Sequence, residues 1–169
     1  MSRVITFSRT FPSYHPKAGE QTDFVQKIWK SIGVAQNQGE LYKLGIKADS
    51  FLQLPEYSPK HHTVRAGHRW KVGDKFSPRV WSGKPYNSPQ IIIAPDIEIK
   101  QIYDFEMNDD CEYYINGKRY SGDELAKVAK NDGLSIIDFG CWFAGKSVAS
   151  SKRNPFDGQI ICWSEKIKY

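Results

Sequence analysis

The segment Lys60-His61-His62-Thr63-Val64-Arg65-Ala66-Gly67-His68-Arg69-Trp70-Lys71-Val72-Gly73-Asp74 packs lysine, arginine, histidine and a threonine hydroxyl together and closes on a Gly-Asp turn. Such a stretch is too polar for a core strand. Long charged side chains are rarely buried without partners, so a cluster this dense lines a pocket or faces a polyanion. His61 to Arg65 reads as a short strand, and Val72 to Lys75 as a turn into a second strand running through Val80 and Trp81. Pro78 inside that second strand marks an edge or a bulge.

On the amino-terminal side, residues 3–11 alternate in the manner of a strand, and Pro12 and Pro16 end it. Phe24, Val25, Ile28, Trp29 and Ile32 recur at helical spacing, with Thr22 or Asp23 as N-cap and Gly33 as the stop. Residues 34–59 carry Gly39, Gly45, Pro55 and Pro59 among scattered apolar positions such as Leu41, Leu44, Phe51 and Leu54, and are expected to be a surface insertion with one helical piece. On the carboxyl-terminal side, Gln90 to Ile93 and Ile97 to Phe105 are expected strands. Asn116-Gly117 is a hairpin signal between Cys111–Ile115 and Lys118–Tyr120.

Ser121 to Glu124 has the pattern of a capping box for a helix with Leu125, Val128 and Ala129 as its apolar stripe and Gly133 as its end. A second helix is expected from Ser135 to Phe143, with Ile136, Phe139, Trp142 and Phe143 inward. The basic Lys146–Arg153 stretch follows as a loop, and residues 158–167 as the closing strand. Strands with helices inserted between them define an α+β fold, in which the sheet is expected to curl into a small barrel.

A chain of 169 residues is most simply one domain, 1–169, large enough to need no disulfide. Cys111, Cys141 and Cys162 form neither a disulfide framework nor a zinc knuckle, and reduced, buried thiols are expected. Adjacent histidines point to opposite faces of a strand and no further ligand stands at metal spacing, so neither a metal nor another cofactor is expected. No apolar run approaches the roughly 20 residues that span a bilayer, and the first residues enter a strand pattern rather than a leader, so a cytoplasmic protein with no membrane partner is expected. A formal net charge of +5 makes anionic partners plausible.

Several of these segments occur in a familiar order. Ile5-Thr6-Phe7 with Phe11 opens it, Lys60-x-x-Thr63-x-Arg65 and Trp70-x-x-Gly73-Asp74 follow, and Leu125 to Gly133 and an aromatic last strand complete it. In this order the chain resembles the ASCH domains of the PUA-like superfamily, small β-barrels with flanking helices. The resemblance covers most of the chain outside residues 13–55 and the loop near 145–155. It implies recognition of RNA or of a modified nucleobase or nucleoside, and some ASCH proteins are ribonucleases. Around its signature the chain also resembles a bacterial branch that removes the N4-acetyl group of acetylated cytidine with a lysine, a threonine nucleophile and a glutamate. Lys60 and Thr63 match the first two, and Asp132 falls at the third, one methylene shorter.

The chemistry this implies has physical requirements. A threonine hydroxyl needs a base, and a lysine whose ammonium form is disfavoured by burial or by Arg65 and Arg69 can serve. Lys60 and Thr63 are three apart, so a regular strand would separate them, whereas a bend at Pro59 would bring them together. Arg65 would bind an anion or a developing oxyanion. Arg69, Phe7, Trp70, Trp81 and Tyr86 are available for substrate contact, the aromatics as stacking platforms. Each residue also has a structural reading: Arg65 as an ion pair with Asp74, Thr63 as an ordinary strand residue, Trp70 and Trp81 as packing, and Asn131-Asp132-Gly133 as a helix stop.

Overall fold

The structure is a computed structural model that describes residues 2–46, 57–150 and 155–169. The elements run β1 (Arg3–Thr6), α1 (Phe24–Ile32), α2 (Gln38–Tyr42), β2 (His62–Ala66), β3 (Lys75–Trp81), β4 (Gln90–Ile92), β5 (Ile97–Glu98), β6 (Gln101–Met107), β7 (Tyr113–Ile115), β8 (Lys118–Tyr120), α3 (Gly122–Asn131), α4 (Ile136–Ser150) and β9 (Phe156–Cys162). This is a mixed α+β fold with two sheets. In the first, β3 runs parallel to β1 and antiparallel to β4 and β5. In the second, five antiparallel strands lie in the order β2-β9-β6-β7-β8. Among the described residues no strand pairing joins β1 to β2, so the pairing gives two sheets and not the closed barrel expected.

Pro78 is not on an edge strand. Phe76 faces both Arg3 and Ile97, and Arg79 faces both Thr6 and Ile92, so β3 is central and β4 and β5 share its second edge. Between those two pairings the partner edge has more residues than β3, which makes it a bulge. The Pro78 carbonyl accepts from Ile93 N–H there (3.0 Å), and the missing proline N–H falls where the ladder is already interrupted.

The single strand expected over Ile97–Phe105 is likewise two. Ile99 N–H donates to Asp74 at the foot of β3 (2.9 Å), and Lys100 N–H donates to Cys162 in β9 (2.8 Å). The chain changes sheets between these two residues. The far ends of the sheets, β1 and β2, then face each other and are tied by a side chain: Arg65 Nη2 donates to the Thr6 carbonyl (2.7 Å).

The helices cover this frame. α1 buries Phe24, Val25, Ile28 and Trp29, and Trp29 Nε1 donates to the Ile93 carbonyl (2.6 Å), fixing the helix to the end of β4. Residues 34–59 are more than surface, since Leu41 and Ile46 are fully buried; Phe51, Leu54 and Pro55 lie outside the described residues. The Asn116-Gly117 turn forms with both residues at positive φ. The capping box does not: Ser121 makes no side-chain cap, and Glu124 takes a hydrogen bond from Lys118 instead (2.7 Å). α4 runs to Ser150, well past Phe143, and its first residues, Ile136 and Ile137, are exposed; the rest of the expected basic loop, 151–153, lies outside the described residues.

Phe105, Phe139, Phe143 and Phe156 cluster in the core, edge-to-face in the Phe105–Phe139, Phe105–Phe156 and Phe143–Phe156 pairs and tilted between Phe139 and Phe143. All three cysteines are free, with Cys162 buried. Among the described residues no helix is long and apolar enough to cross a membrane.

The β2-β9-β6 ladder depends on Gly158, which pairs with Ala66 on one side and Phe105 on the other. A Cβ there would lie 2.1 Å from the Arg65 carbonyl oxygen, and both neighbours are backbone that cannot step aside. Gly158→Ala is expected to lower stability by more than about 3 kcal/mol, the range of severe strain in a core, in urea unfolding followed by fluorescence. A loss below about 1 kcal/mol would show that β2 is not held against β9 in this register.

Candidate active site

A cavity of about 230 Å³ opens where the edges of the two sheets face each other. Its walls come from the end of β1 (Thr6, Phe7, Ser8), from Lys60 and β2, from Trp81 and the loop after it, from Phe24 of α1, from Asp132 and from Trp142 and Phe143 of α4. Lys60 precedes β2 by two residues, outside the regular strand, which is how it comes to line the same cavity as Thr63.

Lys60 is almost wholly removed from water, at 1% exposure. Its ammonium donates to the Asp132 carbonyl (2.5 Å) and to Asp132 Oδ1 (2.6 Å), and it lies 4.2 Å from the centre of the Phe24 ring. Burial pulls its pKa down to about 8 against the attraction of Asp132, with Arg65 and Lys27 adding repulsion. Burial likewise pushes the Asp132 carboxyl up, opposed first by the Lys60 charge. The pair is therefore closer to exchanging its proton than two exposed groups would be.

The carboxyl end of α3 creates this arrangement. Asp132 caps the helix, and Gly133 follows at φ +80°, where a Cβ would press on Lys27 Cδ (3.2 Å) and Lys60 Cβ (3.4 Å). Three carbonyls at and just past the helix end then take donors from elsewhere: Asn131 from His61 N–H (2.7 Å), Asp132 from Lys60, and Gly133 from Lys27 Nζ (2.8 Å); Val128, which already accepts from Asp132 N–H (3.0 Å), also faces His62 Nε2 (3.1 Å). Two cations at a helix carboxyl terminus also suit its dipole.

Thr63 is 5% exposed, and its hydroxyl makes no hydrogen bond among the described residues; in particular, Lys60 is bonded to Asp132 and not to it. Arg65 shares the Thr63 face of β2. Its guanidinium lies over the Phe7 ring (5.3 Å), and its Nε is buried without a hydrogen-bond partner, which leaves one donor unused. Burial lowers its pKa to about 10, so it stays charged at neutral pH. Asp74 pairs with Arg3 (3.7 Å) and not with Arg65.

Seven of the residues singled out by sequence meet here: Lys60, Thr63, Asp132, Arg65, Phe7, Trp81 and Tyr86. Arg69 and Trp70 do not line the cavity. Trp70 is buried edge-on against Phe76, with the guanidiniums of Arg3 and Arg69 over its ring, so it is packing and not a stacking platform. Phe24, Trp142 and Phe143 had been legible only as apolar helix stripes, yet those stripes end in the cavity wall. His62, considered from sequence only as a metal ligand, is wholly buried beside Asp132, with Nδ1 3.5 Å from Oδ1.

Comparison of the chain with protein-family models, with curated proteins and with solved structures gives no match.

Removing one member of a buried ion pair strands the other, so Asp132→Ala is expected to cost about 3–5 kcal/mol in urea unfolding at neutral pH. Lys60→Met strands the Asp132 carboxyl in the same way and is expected to cost a comparable amount. The pH dependence has a definite sign. Folded Lys60 releases its proton near pH 8 and unfolded Lys60 near 10.5, so between these values the unfolded chain holds more protons. Wild type should therefore gain stability relative to Lys60→Met as pH rises from 8 to 10.5. A gap that stays constant across that window would mean Lys60 titrates like an exposed lysine.

Proposed function

We propose that the protein recognises a modified pyrimidine base or nucleoside and hydrolyses an acyl amide on its exocyclic nitrogen, with N4-acetylcytidine as the model substrate. A PUA-like assignment of the fold, with the cavity at the mouth of a curled sheet, belongs to the same proposal. The observation that carries it is the meeting of Lys60, Thr63 and Asp132, distant in sequence, at one small aromatic-lined cavity.

The dimensions favour a single planar ring. A volume of about 230 Å³ lies below the roughly 300–1,000 Å³ of drug-sized sites. Phe7, Phe24, Trp81 and Trp142 supply flat apolar surface for a heterocycle, and Thr6 and Ser8 supply polar groups at its edge.

In the reaction, the Thr63 hydroxyl oxygen attacks the amide carbonyl while its proton passes to the neutral Lys60 amine. With a pKa of about 8, roughly a tenth of Lys60 is neutral at pH 7. The oxyanion receives the unused Arg65 Nε–H. The carbon–nitrogen bond breaks as the Lys60 ammonium returns its proton to the departing exocyclic nitrogen, releasing cytidine. Water then attacks the threonyl ester with Lys60 again as base, giving acetate and free Thr63. Asp132 holds the Lys60 amine and takes up its charge.

A second reading, recognition without hydrolysis, is favoured by one observation: the Lys60 ammonium is bonded to Asp132 and not to the Thr63 hydroxyl. Incubation with N4-acetylcytidine separates the two. Hydrolysis predicts release of cytidine and acetate by wild type and a fall of about 10³-fold or more in Thr63→Ala, with the fold intact by circular dichroism. Quenching of Trp81 and Trp142 fluorescence by the nucleoside with no turnover would leave recognition and remove hydrolysis. Equal turnover in both proteins would remove Thr63 as nucleophile.

A further inference from the structure

His62 has no role in the chemistry above, yet it is the one imidazole completely shut from water among the described residues, and one of its two nitrogens is unpaired. Nε2 lies 3.1 Å from the Val128 carbonyl oxygen. Two acceptors cannot rest at that distance, so Nε2 carries a proton and donates it. Nδ1 is then either a lone pair or, in the imidazolium, a second donor.

Its surroundings decide between these. Facing the ring are the Lys60 ammonium from its own segment, Asp132 and the Val128 carbonyl from α3, His61 beside it in the chain, and the edge-on ring of Tyr169 (5.6 Å). Burial disfavours the charged ring first and the neighbouring Lys60 charge second, and both push its pKa well below the ordinary value. Nδ1 is thus a lone pair in a dry interior, 3.5 Å from Asp132 Oδ1. That oxygen is the same one that receives the Lys60 ammonium at 2.6 Å.

A lone pair aimed at a carboxylate oxygen is unfavourable, but the same lone pair aimed at a carboxylic acid is a hydrogen-bond acceptor. We infer that His62 is a positioning residue that stabilises the protonated form of Asp132, so that Lys60 can surrender its proton to Asp132 Oδ1 and stand as a free amine without losing that proton to solvent. The balance is simple. The Nζ–H bond of Lys60 breaks, an Oδ1–H bond forms, and the new hydroxyl turns to His62 Nδ1. Two charges disappear together and the proton count of the site is unchanged. An O–H···N bond of ordinary length needs the two groups to close by roughly 0.7 Å, within the reach of small side-chain rotations. This rests on the reading of Lys60 as the base, and it supplies what that reading lacks: a way to form the amine inside a cavity where the ammonium is held by a carboxylate.

The test does not need a substrate. Long-range proton–nitrogen NMR of wild-type protein labelled at histidine nitrogen reports the state of each ring nitrogen. The expected result is Nε2 protonated and Nδ1 unprotonated from pH 6 to 9. In Lys60→Met, where Asp132 has lost its cation and takes a proton of its own, the Nδ1 resonance should move toward the hydrogen-bonded position, and in Asp132→Ala it should not. A protonated Nδ1 in wild type at pH 7 would overturn the proposal, as would an Nδ1 resonance indifferent to Lys60→Met. Should wild type hydrolyse N4-acetylcytidine, His62→Asn adds a second readout. Without the acceptor the neutral pair is less favourable, and because forming it leaves the proton count unchanged its population does not depend on pH, so kcat should fall about tenfold with the acid limb unmoved, the effect of one ordinary hydrogen bond. A kcat equal to that of wild type would overturn the proposal, as would an acid limb displaced with an unchanged plateau, which would mean that Lys60 loses its proton to solvent and not to Asp132. Absence of turnover in wild type would sink the hydrolysis reading while the nitrogen spectra still decide the state of His62.

Discussion

An ammonium group taken out of water must be compensated on every side, and the placement of Lys60 under the carboxyl end of α3 satisfies that demand. The terminal carbonyls of the helix need donors, and Lys60, Lys27, His61 and His62 need acceptors. Each set completes the other. The result pins α3 to the entrance of β2 and to α1 at once, and Gly133 then turns the chain away so that α4 can lay Trp142 against Phe24 (5.7 Å) and Phe143 against Phe105 (5.3 Å). The cavity walls are assembled by the same contacts that answer the charge.

Energetically the pair is a poor way to hold a fold together. Desolvating two ions costs several kcal/mol each, and a well-packed apolar pair in their place is often as stable or more so. Here the cost is reduced by sharing: the Asp132 carbonyl and carboxylate both serve Lys60, and the Phe24 ring face lies beside it. It is not abolished, which is why burial still dominates the shift of each partner. What the arrangement provides is a lysine near the point of deprotonation at neutral pH, a property that no apolar substitute has.

How far the chain could be read in advance follows from the range of the forces involved. Where a local rule acts alone it succeeds: Asn116-Gly117 makes its turn, and Gly33 and Gly133 end their helices because only positive φ fits there. Where a longer-range partner competes, the local rule yields. Glu124 leaves the Ser121 cap for Lys118, and Pro78 sits in a central strand because the bulge that excuses its missing N–H lies in a different segment. The site divides in the same way. Lys60, Thr63 and Arg65 stand out as an unusual polar run, and Asp132 as a carboxylate before a helix stop. His62 and Phe24 could not stand out, since a buried histidine on a strand and a phenylalanine on a helix stripe look the same whether they face the core or a cavity.

The opening between the sheets and the candidate site are one feature. β1 and β2 are edge strands, and an edge presents unpaired backbone groups that invite association with other chains. Pairing the two edges directly would remove that liability and would also remove the cavity. Instead a single guanidinium spans the gap from Arg65 to the Thr6 carbonyl, while Lys60 and the α4 aromatics cover what remains. The span keeps the edges apart by the length of a side chain and leaves Thr6, Ser8 and Thr63 lining a half-open cavity. A flat ring with hydrogen-bonding groups around its rim is the shape that such a slot, lined by backbone on its edges and aromatics on its faces, is built to accept.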